Sequence, residues 1–258
     1  MDRIGFIGTG NIAIAVVEGL LRPPEPALDI TVSPRNPEKA AALAARFQTV
    51  RVARDNQAVL DESRTVFVAL RPPIVADTLR QLRFRSDHQV VSLVPMPAAA
   101  LRSLVSPAHM VVRALPLPTC AERLQAVPYW PADADDADLL RRLGTPLPMA
   151  TEAQLNVLWA ATASIASFYV LLETISQWSV DNGVPASTAA EFTASTFHAV
   201  SKLALSGGPD RFAALAADVA TPGGLNEHVV SVLRASGTYA QLGGALDTVL
   251  GRIAPKDA

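Results

Sequence analysis

The sequence predicts an α/β protein in which a doubly wound parallel sheet is followed by an all-helical domain. Up to residue 150 of 258, short apolar runs alternate with stretches of helical periodicity, the pattern of repeated βαβ units. After Ala150 the sequence contains helical patterns and no strand pattern. Half of the residues are apolar and only 18% are charged, so the chain must bury much of its surface in a core or against another copy. We therefore expect two domains, residues 1–150 and 151–258.

The predicted strands of the first domain are short aliphatic or β-branched runs, at residues 3–7, 30–32, 50–53, 65–70, 90–94 and 110–113. Helices are predicted between them, at 11–21, 37–47 and 56–61. Pro23-Pro24 ends the first helix, and Pro37 opens the second in the first-turn position that proline favours. Prolines also follow the strands at 65–70, 90–94 and 110–113. These strands therefore end sharply at their carboxyl ends, which is where ligands usually bind in a sheet of this kind.

Helices are predicted in the second domain at residues 151–181, 186–205, 209–219, 225–236 and 238–253. The first is apolar on nearly all of its faces, so we expect it to be largely buried. Its uncharged part, Leu155–Leu172, is about as long as a membrane span. Polar side chains within that part, and the lack of flanking Lys/Arg clusters, favour a soluble protein instead. With no signal peptide at the N-terminus either, we expect a cytoplasmic location and no membrane partner.

Composition argues against several classes of function. A net charge of -2 and a pI near 6.1 argue against a nucleic-acid-binding protein, which would need a basic face. Cys120 is the single cysteine, and the four histidines lack metal-ligand spacing, so we expect no disulfide framework and no metal site. Lysine occurs only at positions 39, 202 and 256, which leaves little room for a mechanism based on a catalytic lysine.

The segment Gly8-Thr9-Gly10-Asn11-Ile12-Ala13 has the G-x-G-x-x-G/A spacing of a dinucleotide-binding loop. It follows a predicted strand and opens a predicted helix, which is the context that supports a Rossmann-type domain. The glycines permit a tight turn and a close approach of the backbone to a pyrophosphate, which the helix N-terminus attracts. The alternative is a glycine turn that binds nothing.

The end of the second strand indicates which dinucleotide is bound. An NAD site usually has Asp or Glu about 20 residues after the glycine loop, to bind the ribose 2′-hydroxyl. Here Ser33, Arg35 and Asn36 stand in that region, and all three can donate hydrogen bonds to a phosphate. The sequence therefore predicts NADP(H), unless Arg35 simply faces water beside the start of a helix.

Six stretches occur in an order and spacing that match one known family: IGFIGTGNIA, TVSPRNPEKAAAL, DNQAVLDES, VFVALRPPIVADTLRQL, VVSL and VVRALP. Through them the first 120 residues resemble the pyrroline-5-carboxylate reductase family. The segment Thr221-Pro222-Gly223-Gly224 is similar to the substrate loop of that family. The resemblance implies that NADPH is bound by the glycine loop, by Ser33, Arg35 and Asn36, by Asn56 near the adenine ribose, and by the turn Ala69-Leu70-Arg71-Pro72. It also implies a helical C-terminal domain that joins two chains into a homodimer with the substrate at their interface.

The chain departs from the family pattern mainly around the substrate. Arg71 replaces a lysine and keeps its charge, whereas Leu117 replaces an asparagine and loses an amide. Leu225 and Asn226 stand where the family has two threonines, the second of which bonds to the substrate ring nitrogen. Related hydroxyacid and phosphogluconate dehydrogenases use a lysine early in the long helix, and residues 151–181 contain none. Imine reduction is therefore favoured over their chemistry.

The first hypothesis is an NADPH-dependent reductase of a small imine that bears a carboxylate. The backbone N–H groups of Gly223, Gly224 and Leu225 would hold the carboxylate. Asn226 would bond to the substrate nitrogen, and His228 would donate a proton near neutral pH. Two alternatives remain open: an NADP-dependent oxidoreductase of a carbonyl or hydroxy acid with His228 as acid and base, and a catalytically silent NADP-binding regulatory protein.

Overall fold

The computed structural model describes residues 3–24, 28–134 and 137–254. Its first part is built on an eight-stranded sheet of order β3-β2-β1-β4-β5-β6-β7-β8. The strands are β1 (Ile4–Ile7), β2 (Ile30–Val32), β3 (Val50–Val52), β4 (Thr65–Val68), β5 (Gln89–Ser92), β6 (Met110–Ala114), β7 (Ala126–Trp130) and β8 (Thr145–Pro148). The six strands predicted from the sequence are all present, in a doubly wound order.

Helices connect the strands and make up the second part of the chain. In the first part they are α1 (Asn11–Leu20), α2 (Pro37–Arg46), α3 (Asn56–Glu62), α4 (Pro72–Arg80), α5 (Ala98–Val105) and α6 (Ala137–Arg141). They are followed by α7 (Glu152–Ala161), α8 (Ile165–Asp181), α9 (Ala186–Leu203), α10 (Arg211–Val219), α11 (Leu225–Ala235) and α12 (Thr238–Ile253). Short 3-10 turns occur at Pro118–Glu122 and Thr162–Ser164.

The described chain divides into two compact units, 3–159 together with 252–254, and 160–251. The sequence places a domain boundary near Ala150, whereas the first unit continues through most of α7 to Trp159. The physical reason is that the first turns of α7 pack on the sheet domain: Leu155 and Trp159 form a buried cluster with Leu115, which directly follows β6.

The sheet is parallel from β3 through to β6, as predicted, and reverses direction after that. β6 pairs with β7 in antiparallel fashion, and β7 pairs with β8 in parallel. Neither of these last two strands was predicted, since β7 contains Pro128 and β8 contains Pro146 and Pro148. The N–H of Thr145, which begins β8, donates to Gln125 just before β7, and the N–H of Met149, just after β8, donates to Tyr129 of β7. The two prolines of β8 therefore stand at the alternate positions, whose backbone nitrogens face the open edge.

Apolar side chains alternate between the two faces of the sheet, and each face has its own buried cluster. Phe6 and Phe67 stack on one face at a ring distance of 4.8 Å, within a cluster that includes α1 and α2. Ile7, Val66 and Val68 point to the other face and pack with α3, α4 and α5. Burial on both faces explains why the central strands are continuous apolar runs.

A buried arginine joins the sheet to α7. Arg113 of β6 is fully buried, and its Nη1 donates to Oε1 of Glu152 at 2.5 Å and to Oδ1 of Asn156 at 2.9 Å. Oε1 of Glu152 also accepts from the backbone N–H of Ala98 at 2.6 Å, so β6, α5 and α7 meet at one carboxylate. The guanidinium carbon lies 5.1 Å from the ring centroid of Trp159. Burial lowers the pKa of Arg113, and the charge of Glu152 opposes that shift.

The second unit is helical, as predicted, but its long helix differs from the expectation in two ways. The predicted helix 151–181 is interrupted by the 3-10 turn at 162–164, and α8 contains no buried residue within the single chain. By length and composition the stretch Glu152–Asp181 could cross a membrane, but the core helix of a soluble protein passes the same test. Packing inside the unit does occur, since Phe168 of α8 meets Phe197 of α9 at 6.1 Å.

Large apolar side chains are exposed along most helices of this unit. They include Tyr169, Val170, Trp178, Phe192, Leu203, Phe212, Val229, Val232 and Tyr239. Monomeric proteins seldom expose apolar surface so continuously, and such surfaces are typical of subunit interfaces.

Candidate functional site

A cavity of about 460 Å³ opens at the carboxyl ends of β1, β2 and β4, where the strand order changes direction. This crevice is the usual ligand site of doubly wound sheets, and its volume is within the range of small-molecule sites. It is lined by Gly8, Thr9, Gly10, Asn11, Ile12, Arg35, Asn36, Lys39, Ala69, Leu70, Arg71 and Ile74. Most of the predicted cofactor-binding residues thus surround one cavity.

Two glycines shape the loop between β1 and α1 for different reasons. Gly8 has a φ of +103°, and a Cβ there would lie 2.5 Å from the carbonyl oxygen of Ala69, so the turn requires glycine. A Cβ on Gly10, in contrast, would meet no atom within 4 Å. Because Gly10 precedes the first residue of α1 and has no side chain, the unpaired N–H groups of the first helical turn stay accessible to an anion.

Ser33 supports the glycine loop from behind instead of lining the cavity. It is fully buried at the end of β2, and its Oγ accepts a hydrogen bond from the N–H of Gly8 at 3.1 Å. The hydroxyl of Thr9 donates to the carbonyl oxygen of Ser33 at 2.6 Å. These contacts hold the glycine loop in place, so Ser33 positions that loop. The direct contact of Ser33 with the cofactor, which the family resemblance implies, stays a prediction.

Three cationic side chains, those of Arg35, Lys39 and Arg71, line the cavity, and no carboxylate is found among its described lining residues. The Nζ of Lys39 donates to Oδ1 of Asn11 at 2.6 Å, which draws the ammonium group toward the glycine loop. Asn36 caps α2 through a bond from the backbone N–H of Lys39 to its Oδ1 at 3.3 Å. This donor set suits a ligand with several phosphate groups. The residues present therefore fit NADP(H).

Lys39 is a lining residue that the sequence analysis missed. It lies four positions after Arg35 and three after Asn36, so the capped first turn of α2 brings it to the same side.

Two other predicted residues lie outside the lining of this cavity. Asn56 is the first residue of α3, behind its N-cap Asp55, whose side chain accepts from the N–H of Ala58 at 2.7 Å. Pro72 begins α4 directly after Arg71 and is exposed. Contacts of these two residues with a cofactor remain predictions.

The predicted substrate loop, Thr221-Pro222-Gly223-Gly224, leads into α11 in the second unit. The N–H of Gly223 donates to Oε2 of Glu227 at 2.6 Å, and the N–H of Gly224 donates to the carbonyl oxygen of Thr221 at 2.8 Å. Both glycine N–H groups predicted to hold a substrate carboxylate thus have partners within the loop. Leu225, the third predicted residue, begins the helix with a side chain that is 89% exposed.

The two predicted catalytic residues lie on the first turn of α11 but face different directions. Asn226 donates from Nδ2 to the carbonyl oxygen of Val219 at 3.2 Å, so its side chain folds back toward α10. His228 is exposed, and it lies two positions further along the helix. Residues spaced i, i+2 do not share a helix face, so within one copy the two side chains do not converge on one atom.

Two buried titratable groups lie away from these features. Burial raises the pKa of the Cys120 thiol to about 12, which leaves it in the unreactive form. Burial also lowers the pKa of His88, whose Nδ1 accepts from the N–H of Arg85 at 3.0 Å and whose Nε2 lies 3.1 Å from the carbonyl oxygen of Leu60. The described part of the chain contains no group of three or more His, Cys, Asp or Glu side chains placed to hold a metal.

Comparison with known proteins gives matches over both parts of the chain. Residues 3–95 match the family described as NADP oxidoreductase, coenzyme F420-dependent, and residues 152–254 match the family described as pyrroline-5-carboxylate reductase dimerisation. Pyrroline-5-carboxylate reductase of Pseudomonas aeruginosa is 26% identical, over 98% of this chain and 96% of the relative. Pyrroline-5-carboxylate reductase 3 of Danio rerio is 28% identical, over 95% of this chain and 88% of the relative. The solved pyrroline carboxylate reductase of Plasmodium falciparum, with NADP bound, superposes with a TM-score of 0.82 at 15% identity, over 98% and 97% of the two chains.

Proposed function

Because this chain belongs to the pyrroline-5-carboxylate reductase family, we propose that it uses NADPH to reduce the C=N bond of a small imine that bears a carboxylate. It is an NADP-dependent oxidoreductase of this type, and NADP(H) is its cofactor. The observation that supports this best is the cavity at the carboxyl ends of β1, β2 and β4, which is lined by three cationic side chains and by no carboxylate among its described residues. Pyrroline-5-carboxylate, from which the family takes its name, is the first substrate to test.

NADPH supplies the hydride when it is bound. The residues of this chain position it: the first-turn N–H groups of α1 attract its pyrophosphate, and Gly10 leaves them accessible. Arg35 and Lys39 are assigned to the 2′-phosphate, because both are cationic and lie together at the end of β2. The turn after β4, with Arg71, forms the opposite wall.

The substrate contacts are assigned to the loop before α11. Asn226 is the polar side chain that replaces the threonine of the family, and we assign to it the contact with the substrate nitrogen. His228 is assigned to proton exchange with the substrate nitrogen, because an imidazole can both donate and accept a proton. An imine is reduced more readily once its nitrogen is protonated, so this proton is placed before the hydride arrives.

The chain forms oligomers through its C-terminal helices, and we propose that the assembly is a homodimer. The exposed apolar side chains along α8 to α11 support this, because a second copy would cover them. We also propose a cytoplasmic location, as the sequence predicts. Sedimentation velocity tests the assembly, with a species of about twice the 27.2 kDa chain mass as the expected result.

The proposed function is tested with the purified chain by following NADPH oxidation at saturating cofactor with pyrroline, piperideine and open-chain imines, each with and without a carboxylate. Turnover of at least one imine is expected, with NADPH preferred over NADH. Turnover of hydroxy acids or carbonyl compounds alone would favour a different oxidoreductase. Tight NADPH binding with no turnover of any of these compounds would favour a regulatory protein.

Cofactor assignment is tested separately by equilibrium binding. Arg35→Ala and Lys39→Ala should each raise the Kd for NADPH about tenfold, the equivalent of about 1.4 kcal/mol, and leave the Kd for NADH within a factor of two. Arg54→Ala removes an exposed arginine outside the cavity and is the matched control. Equal losses for NADPH and NADH would contradict the assignment to the 2′-phosphate.

A further inference from the structure

Three neighbouring strands of the sheet, β4, β5 and β6, end level with one another. Val68 pairs with Ser92, and Ser92 pairs with Arg113, so these three residues form one row across the sheet. Neighbouring strands are about 4.8 Å apart, which puts the turn after β6 about 10 Å from the turn after β4. The lining of the cofactor cavity reaches the turn after β4, so the turns after β5 and β6 continue the same edge beyond it.

This continuation of the edge is where we expect the nicotinamide half of the cofactor. A doubly wound sheet binds a dinucleotide across its switch point, with one mononucleotide on each half of the sheet. Arg35 and Lys39 line the cavity at the end of β2 and are assigned to the 2′-phosphate, which places the adenosine half on that side. The nicotinamide half therefore falls on the side of β4, β5 and β6.

The turn that joins β5 to α5 is anchored at its far end by a side chain of α7. Two residues of this turn are prolines and have no N–H group. The N–H groups of Val94 and Met96 find acceptors nearby, Oγ of Ser92 at 3.3 Å and the carbonyl oxygen of Val94 at 2.7 Å. The N–H of Ala98, in contrast, donates to Oε1 of Glu152 at 2.6 Å. The position of Glu152 therefore fixes where the turn ends.

The same oxygen atom holds the end of β6. Oε1 of Glu152 accepts from Nη1 of Arg113 at 2.5 Å, and Arg113 is fully buried. Leu115 stands two residues later, at the beginning of the turn after β6, and packs with Leu155 and Trp159 of α7. One carboxylate oxygen thus sets the separation between the turn after β5 and the turn after β6.

We propose that Glu152 is a positioning residue for the nicotinamide half of NADPH, because it fixes the two turns against which that half binds. This inference rests on the proposed function, since the assignment of the 2′-phosphate gives the cofactor its direction across the sheet. Glu152 acts through the backbone of the two turns. A misplacement of about 1 Å caused far from the chemistry can cost about 100-fold in rate, so the length of this side chain matters more than its charge.

Two conservative variants separate length from charge. Glu152→Asp keeps the charge beside Arg113 but is one methylene shorter, so its oxygen cannot hold both donors at their present positions. Glu152→Gln loses the charge and keeps both the length and an accepting oxygen. The ligands to compare are NADPH and 2′-phospho-ADP-ribose, which is the same cofactor without its nicotinamide ring.

Equilibrium binding gives a measurement that does not depend on turnover. Glu152→Asp should raise the Kd for NADPH about tenfold and leave the Kd for 2′-phospho-ADP-ribose within a factor of about two. Glu152→Gln should leave both Kd values within a factor of about three, although its unfolding temperature is expected to fall. Leu140→Ala removes a buried side chain of α6, away from both turns, and is the control for lost stability. It should change the two Kd values equally or not at all.

The rate of imine reduction provides the second readout. Glu152→Asp should lower kcat about 100-fold, and Glu152→Gln should lower it less than about tenfold. If no imine is reduced by the wild-type chain, the proposed function fails, while the two Kd values still test Glu152. Equal changes in the Kd values of NADPH and 2′-phospho-ADP-ribose in Glu152→Asp, or a larger loss in Glu152→Gln than in Glu152→Asp, would overturn the inference.

Discussion

Replacing Glu152 with alanine should destabilise the first unit by about 3–5 kcal/mol, the range for removing one partner of a buried ion pair. Arg113 is fully buried, and its Nε and Nη2 have no hydrogen-bond partner among the described residues. Without Glu152, Asn156 alone would accept from the guanidinium. The N–H of Ala98 would also lose its acceptor, which by itself costs about 1–3 kcal/mol when the group stays buried.

The free energy of unfolding is measured by urea denaturation followed by tryptophan fluorescence, since Trp159 packs against the guanidinium. Glu122→Ala is the control, because Glu122 pairs with Arg22 at 2.7 Å at an exposed position, where a loss below about 1 kcal/mol is expected. Glu152→Gln should fall between the two, as it keeps an acceptor without the charge. If Glu152→Ala costs no more than Glu122→Ala, the account of this buried network is wrong.

Three further predictions concern the glycine loop and the two buried titratable groups. Gly10→Ala should weaken NADPH binding at least tenfold and leave the unfolding temperature unchanged. Gly8→Ala should weaken NADPH binding and also lower the unfolding temperature, because the φ of Gly8 is +103° and a Cβ there would meet the carbonyl oxygen of Ala69. NADPH titration measures the first effect and calorimetry the second, and equal unfolding temperatures for the two variants would contradict this prediction. Burial lowers the pKa of His88 from 6.5, so below pH 6.5 the unfolded chain binds a proton that the folded chain does not. The free energy of unfolding should therefore fall by up to about 1.4 kcal/mol per pH unit as the pH drops below 6.5. Urea denaturation at pH 5 to 8 measures this pH dependence, and His88→Gln should remove the contribution of His88 to it. With a thiol pKa of about 12, Cys120 should react with a disulfide reagent only in urea, and prompt reaction of the native chain would show that it is accessible.

The sequence predicted those parts of the molecule that local chemistry determines. The glycine loop and the three donors after β2 follow from spacing and residue type, and the structure gathers most of them around one cavity. Lys39 was missed because a lysine on the first turn of a capped helix has no distinguishing pattern until the fold shows which way its side chain points. β7 and β8 were missed because their prolines argue against strands, and Pro146 and Pro148 are acceptable only because β8 is the edge strand.

Other features depend on contacts that a linear pattern does not contain. The apolar residues of α8 predicted a largely buried helix, whereas none of them is buried within the single chain, because a linear pattern does not say what covers an apolar surface. The contact of Glu227 is another example: its spacing from Gly224 is that of a capping residue, and only the structure shows that it accepts the N–H of Gly223.

Both ends of the sheet are closed to further strands. At one end Pro146 and Pro148 direct backbone nitrogens without hydrogens to the open side of β8, so another strand would find no donors there. At the other end β3 has only three residues, and the side chain of Arg51 at its centre is exposed. A chain at high concentration in the cell is therefore protected from joining its neighbours edge to edge into fibres. Its self-association is left to the C-terminal helices.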